Sequence, residues 1–228
     1  MNVWVPGALR MVVATLLLAL MQIPVAAQDG MEILQQASRR YAPVTSLCAD
    51  FVQHLRVPLL GQEETARGRL CQQRPNLFAM RFTEPAGDVI VVDGESMWYY
   101  MPSNDAKQVF RFPIERGTGG LDFHREFLED PEVKYDVTYE SADEIAGTAT
   151  HRLRLRPKER TSGAPTPSVG RAAVLWIEQG TSVLRVIRLE EENGNERTIN
   201  LRDVAFGATA PQGFFTFTPP PGALEITP

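Results

Sequence analysis

The sequence predicts a mainly β protein built on one sheet that is apolar on one side and solvated on the other. About ten segments alternate polar and apolar residues, whereas only two or three short segments have helical spacing. Charges fall on one side of several strands, as in Arg152, Arg154 and Arg156. A sheet of this size must curl to bury its apolar side. That side can be covered by a second sheet, by closure of the sheet into a barrel, or by helices.

Composition is that of a folded domain. The chain has 228 residues, of which 43% are hydrophobic, and this content excludes disorder. The 23 basic residues against 28 acidic ones give a net charge of −5, so no cationic surface for nucleic acid is expected. Three histidines and two cysteines, far apart, predict no zinc site and no other metal or cofactor.

The first 27 residues predict a cleaved secretory signal. Arg10 precedes the apolar run 11–20, and small residues end the segment at Ala27. The alternative is a buried N-terminal helix. Cleavage leaves residues 28–228, which we expect to form a single exported domain.

A helix is predicted directly after the signal. Asp29 and Glu32 suit a helix start, and Ile33, Leu34, Ala37 and Tyr41 follow at helical spacing until Pro43.

Two alternating segments, 47–57 and 68–73, flank a turn at Pro58–Gly61 and predict a hairpin. A hairpin centred there places Cys48 opposite Cys71 on the polar side, within bridging distance. Because an exported protein meets an oxidising compartment, we expect a disulfide, which would stabilise the fold by roughly 3 kcal/mol. Two unpaired thiols are the alternative.

The remaining chain predicts further strands and one more helix. Gly117–Gly120 is expected to be a joint and Leu121–Leu128 a helix, while Pro157–Gly170 is a long loop or, alternatively, a linker. The strands are expected at Phe78–Phe82, Val89–Val92, Met97–Met101, Lys107–Phe112, Val133–Tyr139, Thr150–Arg156, Ala173–Glu178, Val183–Leu189, Arg197–Val204 and Phe215–Phe217.

Known catalytic motifs are missing from the sequence. There is no nucleophile elbow, zinc-protease motif, phosphate loop or paired-cysteine redox motif. His54, on a polar strand side, and His124, in a short helix, are interpreted as structural. We therefore expect a protein that is not an enzyme, with a secreted hydrolase as the rival.

Three stretches carry a resemblance to a known family. They are Arg74–Phe78, Val92–Pro102 and Phe215–Gly222, and they accompany the signal, the first helix and a strand containing Phe51 and Gln53. Together they resemble the periplasmic lipoprotein carrier family, LolA. The resemblance covers most of the mature chain but is poor from about Phe110 to Gly170.

The resemblance implies an unclosed, strongly curved antiparallel half-barrel, with short helices as a lid over an apolar cavity. It implies a periplasmic, monomeric carrier that takes acylated lipoproteins from an ATP-driven extractor in the inner membrane. The carrier then passes them to an acceptor lipoprotein at the outer membrane. A carrier or sensor of another lipid or acylated ligand is the alternative.

Two kinds of site residue follow from this reading. The resemblance implies that Arg74 holds lid carbonyls and locks the closed state. The alternation within the strands then assigns residues to an acyl-chain-binding side of the sheet. The alternative is that these residues form an ordinary packed core. Its predicted members are Phe51, Leu70, Phe78, Met80, Phe82, Trp98, Tyr100, Leu175, Ile177 and Phe217.

Overall fold

A computed structural model describes Met1 and residues 29–114, 123–158 and 170–227. The predicted signal, apart from Met1, the Gly117–Gly120 joint and most of the 157–170 loop lie outside the described residues.

Strands dominate the described chain. The helices are α1 (Gly30–Tyr41), α2 (Pro102–Asp105) and α3 (Pro131–Lys134), with a π-helical turn at His124–Leu128. The strands are β1 (Ser46–Val57), β2 (Gln62–Gln73), β3 (Leu77–Glu84), β4 (Val89–Asp93), β5 (Ser96–Tyr100), β6 (Gln108–Pro113), β7 (Tyr135–Ile145), β8 (Thr148–Pro157), β9 (Ala172–Glu178), β10 (Leu184–Glu190), β11 (Glu196–Phe206) and β12 (Leu224–Ile226).

All twelve described strands belong to one curved, unclosed sheet. Their order is β12-β6-β5-β4-β3-β2-β1-β11-β10-β9-β8-β7, so β12 and β7 form the two edges. Neighbouring strands are antiparallel except β12, which runs parallel to β6. The predicted mainly β class with one unclosed, curved sheet is confirmed, while the lid and the apolar cavity stay predictions. In the described part of the chain, no helix has the length and apolar character needed to cross a membrane.

The first hairpin has the predicted register. β1 pairs with β2 so that Cys48 lies opposite Cys71, and the two cysteines form a disulfide. The cysteine prediction is therefore confirmed.

Helix α1 begins where the sequence predicts. The Asp29 carboxylate accepts a hydrogen bond from the Met31 N–H at 2.9 Å, which is a standard N-cap. Ile33, Leu34, Ala37 and Tyr41 are buried. At Gly30 a Cβ atom would lie 2.8 Å from the Tyr139 backbone nitrogen, so glycine allows the helix to start against β7.

Two predicted elements differ from the structure. The strand expected from Val133 begins at Tyr135, because Pro131–Lys134 forms α3. Phe215–Phe217 is not a strand: residues 207–223, which we call the C-terminal strap, contain turns and irregular backbone. Arg81 on β3 holds the strap by donating to the carbonyls of Phe214, Gly213 and Thr216 at 3.0, 3.1 and 2.7 Å.

The strap corrects the expectation that one side of the sheet is solvated throughout. It covers Cys48, Cys71 and Trp98, which are at most 8% exposed and pack with Phe214. Alternation alone did not reveal this cover, because the covering residues come from a distant irregular segment. Over β8 the expected charged side is present: Arg152 and Arg154 both pair with Glu140.

Candidate functional site

The opposite side of the sheet, which we call the inner face, is covered by α1 and the π-helical turn. Its apolar cluster combines side chains from β1–β4 and β8–β11 with Leu34 of α1 and with Phe127 and Leu128 of the turn. Phe51 and Phe82 meet edge to face across this surface, with ring centroids 5.1 Å apart. One continuous apolar surface therefore runs across most of the sheet.

Seven of the ten residues predicted for an acyl-binding side lie in this inner cluster. They are Phe51, Leu70, Phe78, Met80, Phe82, Leu175 and Ile177, all between 0% and 8% exposed. Their common face follows from the register, since Leu70 lies opposite Met80 and Gln72 opposite Phe78.

The prediction that Trp98, Tyr100 and Phe217 share that face is wrong. Phe78 lies opposite Val92 and Val92 opposite Met97, so Trp98 points to the other side. There Phe217 of the strap contacts Trp98 and Tyr100, with ring centroids 5.8 and 5.5 Å apart. Strand β5 is apolar on both sides, so parity within the strand could not choose between them.

The same register identifies inner-face residues that sequence reasoning missed. Ile90, Met97, Met101 and Ile114 are partly buried against the inner cluster. Phe112 lies opposite Met97 and is also only partly buried. Sequence reasoning missed these residues because it did not establish how β5 pairs with β4 and how β4 pairs with Phe78 of β3. This half of the inner face is apolar yet less covered than the half under α1.

Helix α1 fills the inner face with its own side chains. Leu34 and Ala37 are fully buried, and Tyr41 is 4% exposed. The Tyr41 hydroxyl oxygen accepts a hydrogen bond from the Leu184 N–H at 3.1 Å, and burial raises the Tyr41 pKa to about 12. The helix is thus docked by apolar contacts and by one buried hydrogen bond to β10.

Arg74 holds the C-terminal end of α1. Its two terminal nitrogens donate to the carbonyl oxygens of Ala42 and Tyr41 at 2.8 and 3.1 Å. These carbonyls belong to the last helical turn, where a cation is favoured and intrahelical partners are lacking. Arg74 therefore contacts carbonyls at the end of α1; that these are lid carbonyls, and that Arg74 locks a closed state, stay predictions.

A narrow recess lies beside this contact. Its lining residues include Tyr41, Leu47, Gln72, Arg74 and His124. His124, predicted to be structural, therefore lies next to the α1–Arg74 junction.

The π-helical turn is fixed by polar contacts as well as by packing. The Tyr135 hydroxyl donates to the Glu126 carboxylate at 2.7 Å. Burial, together with the Glu126 charge, raises the Tyr135 pKa well above its usual range. Lys134 also donates to the Arg125 carbonyl. The cover over the inner face thus has two parts, α1 and this turn.

His151 is one of the titratable groups on the inner face. His151 lies opposite Ile177 and 6.0 Å, centroid to centroid, from the Tyr139 ring. Burial lowers its pKa, so the imidazole is neutral at neutral pH. His54, also predicted to be structural, instead contacts Thr65, 3.0 Å from its hydroxyl oxygen.

Comparison with known proteins identifies the family. A family model described as "Outer membrane lipoprotein carrier protein LolA" matches residues 42–218. The chain belongs to the LolA family. The matched range contains Arg74, β1–β11 and most of the C-terminal strap, but begins after α1.

Individual relatives agree with this assignment. An outer-membrane lipoprotein carrier protein of Haemophilus ducreyi is 33% identical over 110 residues, 47% of this chain and about half (51%) of that protein. One from Actinobacillus pleuropneumoniae serotype 7 is 27% identical over 207 residues, covering 90% of this LolA-family chain and 88% of its relative. A crystal structure of an uncharacterized conserved protein from Thermus thermophilus shares the fold, with a TM-score of 0.52 at 14% identity, covering 88% of this chain and 100% of the other.

Proposed function

We propose that this protein binds the acyl chains of lipoproteins on its inner face and carries them across the periplasm. The observation that carries the proposal is an apolar inner face closed by a helix that is itself held by few polar contacts. The family description and the relatives' names supply the cargo class.

The energetics of an acyl chain explain why such a surface is needed. Each buried CH₂ group is worth about 0.8 kcal/mol, so two acyl chains cost on the order of 20 kcal/mol to leave in water. An exported carrier that shields them makes transfer through an aqueous compartment feasible.

The inner face is occupied by α1 in the described state, so loading requires the helix to move. Acyl chains would then take the place of Ile33, Leu34 and Ala37 against the sheet. One set of apolar contacts replaces another, and the closed and loaded states therefore differ little in free energy. A small difference permits both uptake and release.

Methionines extend the proposed binding surface. Met97 and Met101 line the less covered half of the inner face. Their unbranched side chains adapt to flexible ligands of different shapes. We assign the first acyl-chain contacts to this half and the deeper contacts to the surface under α1.

Arg74 sets the balance between the two states. Its hydrogen bonds to the end of α1 favour the closed form without contributing to the acyl site. The direction of transfer would come from partners: an ATP-driven extractor at the inner membrane and an acceptor lipoprotein at the outer membrane.

The test is purification of the tagged mature protein from the periplasm, with co-purified proteins scored by mass spectrometry for acylation. We expect acylated proteins with wild type and their loss in the double variant Met97→Glu/Met101→Glu. Val133→Glu is the matched control, because Val133 is 55% exposed on α3 and away from the inner cluster. Absence of acylated proteins from wild type, or equal recovery with both variants, would contradict the proposal.

A further inference from the structure

The turn between β1 and β2 presents two adjacent leucines to solvent. Leu59 is 89% exposed and Leu60 is 65% exposed. They stand in the middle of the turn Pro58–Gly61, which we call the leucine tip. Nothing in acyl-chain binding on the inner face uses these side chains.

The tip projects from the sheet. Towards the turn, the pairing of β1 with β11 ends where Arg56 lies opposite Glu196. The pairing of β2 with β3 ends earlier, where Arg67 lies opposite Glu84. Among the described strands, the part of β2 from Gln62 to Ala66 therefore pairs only with β1. The turn thus extends one residue pair beyond β11, and on the other side β2 extends beyond the end of its pairing with β3.

Two of the backbone N–H groups of the tip are satisfied within the turn. The Leu60 N–H donates to the Val57 carbonyl at 3.1 Å, and the Gly61 N–H donates to the Pro58 carbonyl at 3.2 Å. Pro58 has no N–H. Three of the four turn residues therefore present no free donor, which matters because an unsatisfied N–H is costly in hydrocarbon.

We propose that the leucine tip inserts into the acyl region of a lipid bilayer and docks the protein on a membrane surface. A bilayer fits better than a protein partner, because a stable protein interface needs about 800 Å² from each side. Two leucines at a narrow tip cannot provide that area, whereas a bilayer accepts isolated apolar side chains.

The start of β2 also limits how deeply the tip enters. Gln62, Glu63 and Glu64 follow the turn directly and are exposed. Their polar side chains would stay in the headgroup region, so insertion stops at the turn and remains weak and reversible. Leu55 and Val57 alternate on the same side of β1 as Phe51, so partly buried apolar residues connect the tip with the inner face.

Docking does not require cargo, so the test uses cargo-free mature protein with vesicles of zwitterionic phosphatidylcholine in a flotation assay. Removing most of one buried leucine side chain lowers partitioning by about tenfold. We expect that loss for Leu59→Ala or Leu60→Ala and about 100-fold for the double variant. Leu224→Ala is the matched control, since Leu224 is 63% exposed on β12, and it should bind as wild type does.

Each other outcome would overturn the proposal. Wild type that does not float with the vesicles has no docking tip, and a double variant that floats like wild type docks elsewhere. Equal loss with Leu224→Ala would indicate general adsorption. Binding that needs anionic lipid and disappears with added salt would assign docking to arginines. Thermal unfolding of each variant checks the fold, which these exposed side chains should not affect.

Discussion

Loss of the Arg74 side chain should loosen α1 without unfolding the sheet. Arg74→Leu removes the two hydrogen bonds to the Ala42 and Tyr41 carbonyls. Hydrogen bonds that involve a charged group contribute about 1.5–3 kcal/mol each, and less where solvent competes, as at partly exposed Arg74. About 1 kcal/mol per bond gives about 2 kcal/mol, which is a roughly 30-fold shift toward the open form.

Native-state hydrogen exchange measures this shift directly. Amides of Leu34 and Ala37 in α1 should exchange roughly 30-fold faster in Arg74→Leu, while amides of paired β1 and β11 keep their protection. Arg74→Lys is the control that retains the charge but not the forked geometry. Its α1 exchange rates should fall between those of wild type and Arg74→Leu. Unchanged exchange in α1, or an equal increase across the sheet, would refute the reasoning. In a reconstituted assay the leucine variant should still load acylated cargo but fail to hand it over.

Two further perturbations test the scaffold and the helix anchor. Reduction of Cys48–Cys71, which are 23 residues apart, should cost about 3 kcal/mol in urea unfolding; an unchanged midpoint with reductant would contradict this. Tyr41→Phe should destabilise the fold by about 2 kcal/mol, because the Leu184 N–H loses its buried acceptor. Because the folded pKa of Tyr41 is about 12 and the ordinary value is 10.0, wild-type stability should fall as pH rises through that window. The stability of Tyr41→Phe should decrease less over the same pH range. Equal pH dependence of stability in wild type and Tyr41→Phe would refute the argument that burial raises the Tyr41 pKa.

Local features of the chain were predictable because they depend on neighbours in sequence. The Asp29 cap, the spacing of Ile33, Leu34 and Ala37 and the centre of the first hairpin all lie within short segments. Pairing across a hairpin follows from its turn, so the opposition of Cys48 and Cys71 required no knowledge of the remaining strands.

The assignment of β5 could not be made in that way. Met97 to Met101 is apolar at every position, so alternation divides it into two sets without showing which one faces inward. The pairing of Phe78 with Val92, and of Val92 with Met97, gives the answer. Met97 and Met101 were therefore missed, while Trp98 and Tyr100 were assigned to the wrong side.

The sequence by itself determined the alternation of the first hairpin, the first helix and the cysteine pair, because these follow from local geometry and short loops. Only the tertiary structure decided what covers each side of the sheet. The strap is held by Arg81 of β3, and α1 is docked on Leu184 of β10, so each cover contacts a strand far away in the chain. The hydrophobic effect is not directional, so an apolar side chain packs equally well against any apolar segment that covers it. Only the packing of distant segments therefore distinguishes the side of the sheet buried under the strap from the inner face, which could receive a ligand.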